Sequence, residues 1–179
     1  VIMIGEIRDR NTMKQAIAYA ETGHLCLSTL HANNANQAME RVINFFPEEA
    51  HRQLLVDLSL NLAGVVSQRL IPGLHEKLVP AVEVMLNSSY ISDLIAKGEF
   101  SGIKEAMARS TEIGMCTFDQ ALYQLYTEDR ISLDEALHNA DSRTDLALRI
   151  RLAAGVSTQD AGDLSIDTSS PIQSAARLA

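Results

Sequence analysis

An acid and a histidine, each at the end of an apolar run, are the residues of this chain best suited to chemistry. Glu6 follows Val1-Ile2-Met3-Ile4-Gly5 and precedes Ile7-Arg8-Asp9, and His31 follows Leu25-Cys26-Leu27-Ser28-Thr29-Leu30. In an open α/β sheet, reactive groups collect in the crevice beyond the carboxyl ends of the strands. If both runs are strands, Glu6 stands where a catalytic carboxylate is useful. His31, with Thr29, Asn33 and Asn34 beside it, belongs to a polar group suited to reading a phosphate or positioning a water. A plainer reading also fits the first run alone: Val1 to Ile4 as an ordinary core strand, with Glu6 a solvated residue in the turn after it.

The elements that must position the pair follow from periodicity. Residues 11–22 place Met13, Ala16, Ile17 and Ala20 three and four apart, as on one helix face, and Gly23 closes them in the C′ position. A second strand over 25–30 follows. The order strand, helix, strand implies a right-handed crossover between parallel neighbours, so Glu6 and His31 are expected to share one edge. His24 precedes the second strand and would lie roughly 23 Å from His31 along an extended chain. The two histidines cannot share one metal ion, and His24 reads as structural or supporting. The run 1–4 is apolar enough for burial on both faces, as in a parallel sheet covered by helices. A strand of that kind is expected to follow an earlier element, which makes the chain read as a fragment.

The motifs carry a resemblance. Ile4-Gly5-Glu6-Ile7-Arg8-Asp9 is similar to the atypical Walker B signature of the type II secretion/type IV pilus ATPase superfamily, and Thr22-Gly23-His24 through Leu30-His31-Ala32-Asn33 resembles its histidine box. Val65 to Pro72, Val79 to Asn87 and Gly114 to Leu122 resemble the PilT and PilU retraction branch, with the similarity running from Val1 to about Leu152. Where the PilT proteins carry Ala-Ile-Arg-Asn-Leu-Ile-Arg-Glu, this chain reads Tyr90-Ile91-Ser92-Asp93-Leu94-Ile95-Ala96-Lys97. Both arginines are missing, and the departure resembles the accessory PilU subgroup.

The resemblance implies an α/β fold: part of a RecA-like P-loop ATPase core, a parallel sheet with flanking helices, followed by a small helical subdomain. It implies ATP and Mg2+ as cofactors, Glu6 as the carboxylate that polarises the attacking water, and His31 near the γ-phosphate. Gly5, Arg8, Asp9 and Arg69 are the candidate nucleotide-side residues. Arg8 and Asp9 read either as surface partners or as residues that fix the loop after Glu6, and Arg69 is bland apart from the resemblance. No metal ligand is assigned. The implied partners are further copies of the chain in a homo-hexameric ring, a PilT-like retraction ATPase and an inner-membrane pilus platform protein. The implied place is the cytoplasmic side of the inner membrane, at the pilus base.

Composition narrows the classes. With 15 basic against 23 acidic residues and a net charge of −8, the chain is a poor phosphate-backbone binder, since that affinity comes from clustered Lys and Arg. Nucleic acid is therefore not an expected partner. No run approaches the 18 or so uncharged apolar residues of a membrane span. Cys26 and Cys116 are far apart and read as free thiols of a reducing compartment. The hydrophobic fraction, 46% with only 4% aromatic, suits an aliphatic core for one domain and an appendage.

Further along, 38–46 reads as a short amphipathic helix, and Pro47-Glu48-Glu49 opens a long one with acids in its first turn. That helix is expected to run to about Leu70, because 58–66 is apolar almost all round. Residues 79–86 are expected to add a strand to the same sheet. Helices are then expected over 90–97, 103–113, 117–129, 132–140 and 142–152, with Tyr123 and Tyr126 as core packing. The resulting division is 1–88 for the ATPase core, 89–154 for the helical subdomain and 155–179 for a disordered tail, whose isolated apolar residues cannot offset the entropy of ordering it. A pilus-extension or secretion ATPase ranks last, since it predicts a tetracysteine zinc motif and only two cysteines occur.

A P-loop, Gly-x-x-x-x-Gly-Lys-Ser/Thr, cradles phosphates with backbone N–H groups, and these residues contain none. The 179 residues alone are therefore expected to release no more phosphate from ATP than their Glu6→Gln variant. Turnover above that control in a phosphate-release assay would contradict the expectation.

Overall fold

The computed structural model describes residues 1–153 and Gly155. The expected tail over 155–179 thus lies, Gly155 apart, outside the described residues. Strand β1 (Ile2–Glu6), helix α1 (Arg10–Glu21) and strand β2 (Cys26–Thr29) form the crossover read from the sequence, and β1 pairs with β2 in parallel. Met13 and Ala16 of α1 are buried and Ile17 packs beside them, so the expected helix face is the observed one. Asp9 caps α1, its Oδ1 accepting from the Thr12 N–H at 2.8 Å.

The strands are covered on one face only. Ile4 packs against the core, while Met3 is 79% exposed and Leu25 52%. The expected two-sided burial of 1–4 is therefore corrected: alternate side chains of a strand point to opposite faces, and among the described residues helices cover just one of them.

Helix α2 (Ala35–Asn44) starts three residues earlier than its apolar pattern suggested, because Asn34 caps it by accepting from the Gln37 N–H at 2.9 Å. Helix α3 (Glu48–Asn61) has Pro47 at its N-cap and, as expected, the acids Glu48 and Glu49 in its first turn. It does not reach Leu70. The backbone turns extended at Leu62 and continues as β3 (Gly64–Pro72), which pairs antiparallel with β4 (Leu78–Leu86) over its full length. This overturns two expectations, the long helix and the placement of 79–86 in the first sheet. Each has a local cause. Val65, Val66 and Ile71 are β-branched and favour a pleated surface, and a short turn between two extended runs pairs them with each other before any distant strand can compete. Gly64 marks the switch: a Cβ there would stand 2.7 Å from the Met85 carbonyl oxygen, so only glycine lets the strands approach this closely.

The hairpin is the divide between two cores. Its inward face carries Ser67, Arg69 and Ile71 from β3, and Val79, Ala81, Glu83 and Met85 from β4. Met85 joins the larger cluster with Met13, Met39, Leu54 and Leu58, to which α4 (Ser89–Lys97) and α5 (Ile103–Ala108) add Ile91, Ile95, Ile103 and Met107. Ile71, Val79 and Ala81 join a second cluster with Phe118, Leu122, Ile131, Ala136 and Leu146 from α6 (Phe118–Thr127), α7 (Leu133–Asn139) and α8 (Arg143–Ala153) and the turn between α6 and α7. Both clusters draw residues from either side of position 88. Tyr123 and Tyr126 pack against the second cluster as expected. The helix expected over 103–113 ends at Ala108, where Ser110 leaves helical geometry, and a short 3₁₀ turn, Thr111–Ile113, closes on Gly114 at φ 92°. No helix among the described residues is long and apolar enough to cross a membrane.

Position 64 separates the observed hairpin from the expected helix by sign. Gly64→Ala should lower stability by about 1–3 kcal/mol through the backbone collision, whereas in a helix the same change would raise it by about 1 kcal/mol. A urea unfolding midpoint above that of the unsubstituted chain would contradict the hairpin.

Candidate functional site

Parallel pairing decides where the acid goes. Ile4 pairs with Ser28 and Glu6 with Thr29, with a shift of register between them at Gly5. In place of a regular ladder bond, the Gly5 carbonyl accepts from the Thr29 hydroxyl at 2.6 Å, and the Ile7 N–H donates to the Thr29 carbonyl at 2.9 Å. Ile7 then turns into the core, 8% exposed, which leaves Glu6 on the strand-end rim. The irregularity re-aims a side chain beside a reactive edge, a common use of a bulge.

On that rim the two residues singled out by sequence meet. His31 Nε2 lies 3.1 Å from Glu6 Oε1, and Arg8 donates from Nε to Glu6 Oε2 at 2.6 Å. Glu6 is held by both oxygens. Its side chain is 20% exposed, against 77% for Arg8 and 80% for His31. The Arg8 hydrogen bond and charge, with smaller contributions from His31 and Arg41, hold the Glu6 carboxyl below its ordinary range against the opposing effect of desolvation. Glu6 is thus a carboxylate at neutral pH, an acceptor for a water's proton or hydrogen bond once an exposed partner swings aside.

The remaining sequence candidates divide. Gly5 forms the register shift and Arg8 holds Glu6, so both belong to the rim. Asp9 serves the rim at one remove, as the cap that starts α1 directly after it; the hydrogen bond from the Thr12 N–H holds its carboxyl below the ordinary range. His24 sits at the opposite end of β2, its Nδ1 3.1 Å from the Thr22 hydroxyl and its ring edge-on to Tyr19, a structural setting as expected. Among the described residues no cluster of His, Cys, Asp and Glu could hold a metal ion.

Arg69 stands apart from Glu6. Its guanidinium lies 3.9 Å over the Phe118 ring and is committed on every nitrogen: Nε and Nη2 reach the Asn33 carbonyl at 3.4 and 3.3 Å, Nη2 also donates to Asp141 at 2.7 Å, and Nη1 donates to the Asn139 carbonyl at 3.0 Å. The structure therefore places it on the loop behind His31. The residue that sequence reasoning missed is Glu83, 3% exposed, whose Oε1 accepts from the Ala35 N–H at 2.8 Å. Burial pushes its carboxyl above the ordinary range, and the nearby Asp141 adds to the rise, against the Ala35 hydrogen bond, the nearby Phe118 N–H and the Arg69 charge. The available signal was an acid in phase with Val79, Ala81 and Met85 on the inward face of a strand.

With this geometry in view, a family profile described as Type II/IV secretion system protein matches residues 1–149. The chain belongs to that family. It is 58% identical to the type IV pilus ATPase PilU of Pseudomonas aeruginosa over 166 residues, 92% of this chain and 43% of PilU. It is 34% identical to the retraction ATPase PilT of the same organism over 140 residues, 78% of this chain and 41% of PilT. A crystal structure of the pilus retraction motor PilT with bound ADP superposes with a TM-score of 0.74 at 33% identity, covering 82% of this chain and 41% of that one. The chain thus spans less than half the length of these relatives, and its α/β fold is that of the PilT ATPase.

Removing the Arg8 charge should let the Glu6 carboxyl titrate at higher pH. In Arg8→Gln the midpoint moves up toward the ordinary carboxylate range, read from the side-chain carboxyl carbon by NMR. A depressed folded-state value adds stability above the unfolded carboxyl range, lost as pH falls through the depressed value. An unchanged Glu6 midpoint in Arg8→Gln would contradict the pairing.

Proposed function

We propose that this chain supplies the water-activating rim of a type IV pilus retraction ATPase, whose whole protein couples ATP hydrolysis to pilus disassembly and twitching motility. One observation carries it: the Glu6 carboxylate and His31 stand 3.1 Å apart at the carboxyl edge of a parallel strand pair, in a chain 58% identical to PilU over nearly all of its length. Phosphoryl transfer asks little covalent chemistry of a protein; it needs an oriented water and neutralised charge. Glu6 orients the water. His31, on the other Glu6 oxygen, senses the terminal phosphate and passes its presence to the following loop, while Arg8 holds the carboxylate aimed until the site fills.

ATP is the nucleotide of this reading and Mg2+ its companion ion, which when bound neutralises charge developing on the phosphates. The ionised Glu6 suits a site of that kind, but the rim offers no cluster that would hold the ion itself, so the phosphates and Mg2+ rest on other parts of the whole protein. The working unit is a homo-hexameric ring on the cytoplasmic side of the inner membrane, at the pilus base, engaging the pilus platform protein. A division into an ATPase core over 1–88 and a helical subdomain over 89–154 belongs to the same proposal. A second reading rests on the Tyr90 to Lys97 stretch, which lacks both arginines of the PilT motif: the protein stacks on a PilT-like ring as a coupling subunit, its own hydrolysis dispensable.

Glu6→Gln in the whole protein separates these readings. The motor reading expects ATP hydrolysis to fall on the order of 10²- to 10⁴-fold, with loss of retraction force in a bead-pulling assay. Lost hydrolysis with undiminished force would select the coupling subunit, and undiminished hydrolysis would remove the role given to Glu6.

A further inference from the structure

The loop that carries His31 is held from behind by two charged residues of the hairpin. Asn33, two residues after His31, has its carbonyl gripped by the Arg69 guanidinium, and Ala35, the first residue of α2, gives its N–H to Glu83. The N-terminal amides of a helix have no partner within the helix. Asn34 satisfies that of Gln37, and buried Glu83 satisfies that of Ala35. Both anchors belong to one surface. In the antiparallel register Ser67 faces Glu83 and Arg69 faces Ala81, so Arg69 and Glu83 are diagonal neighbours on the inward face of the ribbon.

Arg69 also reaches the C-terminal helices. It bonds the Asn139 carbonyl and Asp141 and lies over the ring of Phe118, the first residue of α6. Asp119 continues the chain of contacts by accepting from the Asp141 N–H at 2.8 Å and from Lys104 at 2.7 Å. A buried carboxylate at this position has no packing advantage over leucine. Its backbone partner, the Ala35 N–H at the start of α2, accounts for it.

We propose that Arg69 and Glu83 are positioning residues for hydrolysis, clamping Asn33 to Ala35 so that His31 faces Glu6 and tying that loop to α6, α7 and α8. The inference rests on the ATPase reading above and deepens it. Motion of the His31 loop is then transmitted to the C-terminal helices through side chains that lie behind the rim.

The test is a double-mutant cycle on ATP hydrolysis by the whole protein. Glu83→Leu should lower kcat on the order of 10- to 100-fold, with KM for ATP moved less than about threefold. Glu83→Gln, which keeps an acceptor for the Ala35 N–H, should recover most of that loss. His31→Ala combined with Glu83→Leu should lose no more than His31→Ala alone, because both act through one side chain. Losses that multiply would overturn the proposal, as would a KM effect without a kcat effect. If Glu83→Leu does not fold, as judged by circular dichroism, Arg69→Gln enters the same cycle with the same expectation, and failure of both to fold would overturn it too. Glu6→Gln is the control: full hydrolysis there removes the ATPase reading itself, whereas an inactive Glu6→Gln beside multiplicative losses removes only the clamp.

Discussion

The site depends on two short strands running the same way. Parallel pairing of β1 with β2 puts the ends of both runs on one rim, and the register shift at Gly5 turns Glu6 out while Ile7 turns in. An antiparallel pair would have set Glu6 beside His24. Neither residue needs the other to reach the rim; the crossover through α1 delivers both, and the 3.1 Å contact between Nε2 and Oε1 is its result. A depressed Glu6 titration follows from the company it keeps, chiefly Arg8, and keeps the acid ionised where an anion is wanted.

Behind the rim, the hairpin supplies rigidity. Its inward face contributes Met85 to one core and Ile71, Val79 and Ala81 to the other, with Arg69 and Glu83 between them. Charged groups so placed must satisfy their hydrogen-bonding capacity or pay a large desolvation penalty. They do so on main-chain groups of the Asn33 loop, the start of α2 and the Asn139 turn. Polar geometry at this divide is therefore specific in a way the flanking aliphatic packing is not.

Much of the rim was legible in the sequence, because strand ends are marked by simple signals. An apolar run, a glycine and an acid identify Glu6; a helical period closed by Gly23 identifies the crossover that brings His31 to the same side. The hairpin was not legible. Leu58 to Val66 is apolar on every side, so a helix period and a strand period both fit it, and the decisive feature, the close approach at Gly64, exists only once the partner strand is present. Glu83 was hidden for a related reason: its phase on β4 is inward, yet an acid among valines reads as solvated until the amide that holds it is known. Arg69 was singled out through resemblance alone, and its contacts give it a physical role on the His31 loop.

The most direct test is a structure of the whole protein bound to Mg2+ and a non-hydrolysable ATP analogue. The account predicts a single water between the Glu6 carboxylate and the γ-phosphate, with His31 on the same rim and Arg8 displaced from Glu6. A γ-phosphate lodged at the His24 end of the strands, or one facing Glu6 across a filled protein core, would contradict it.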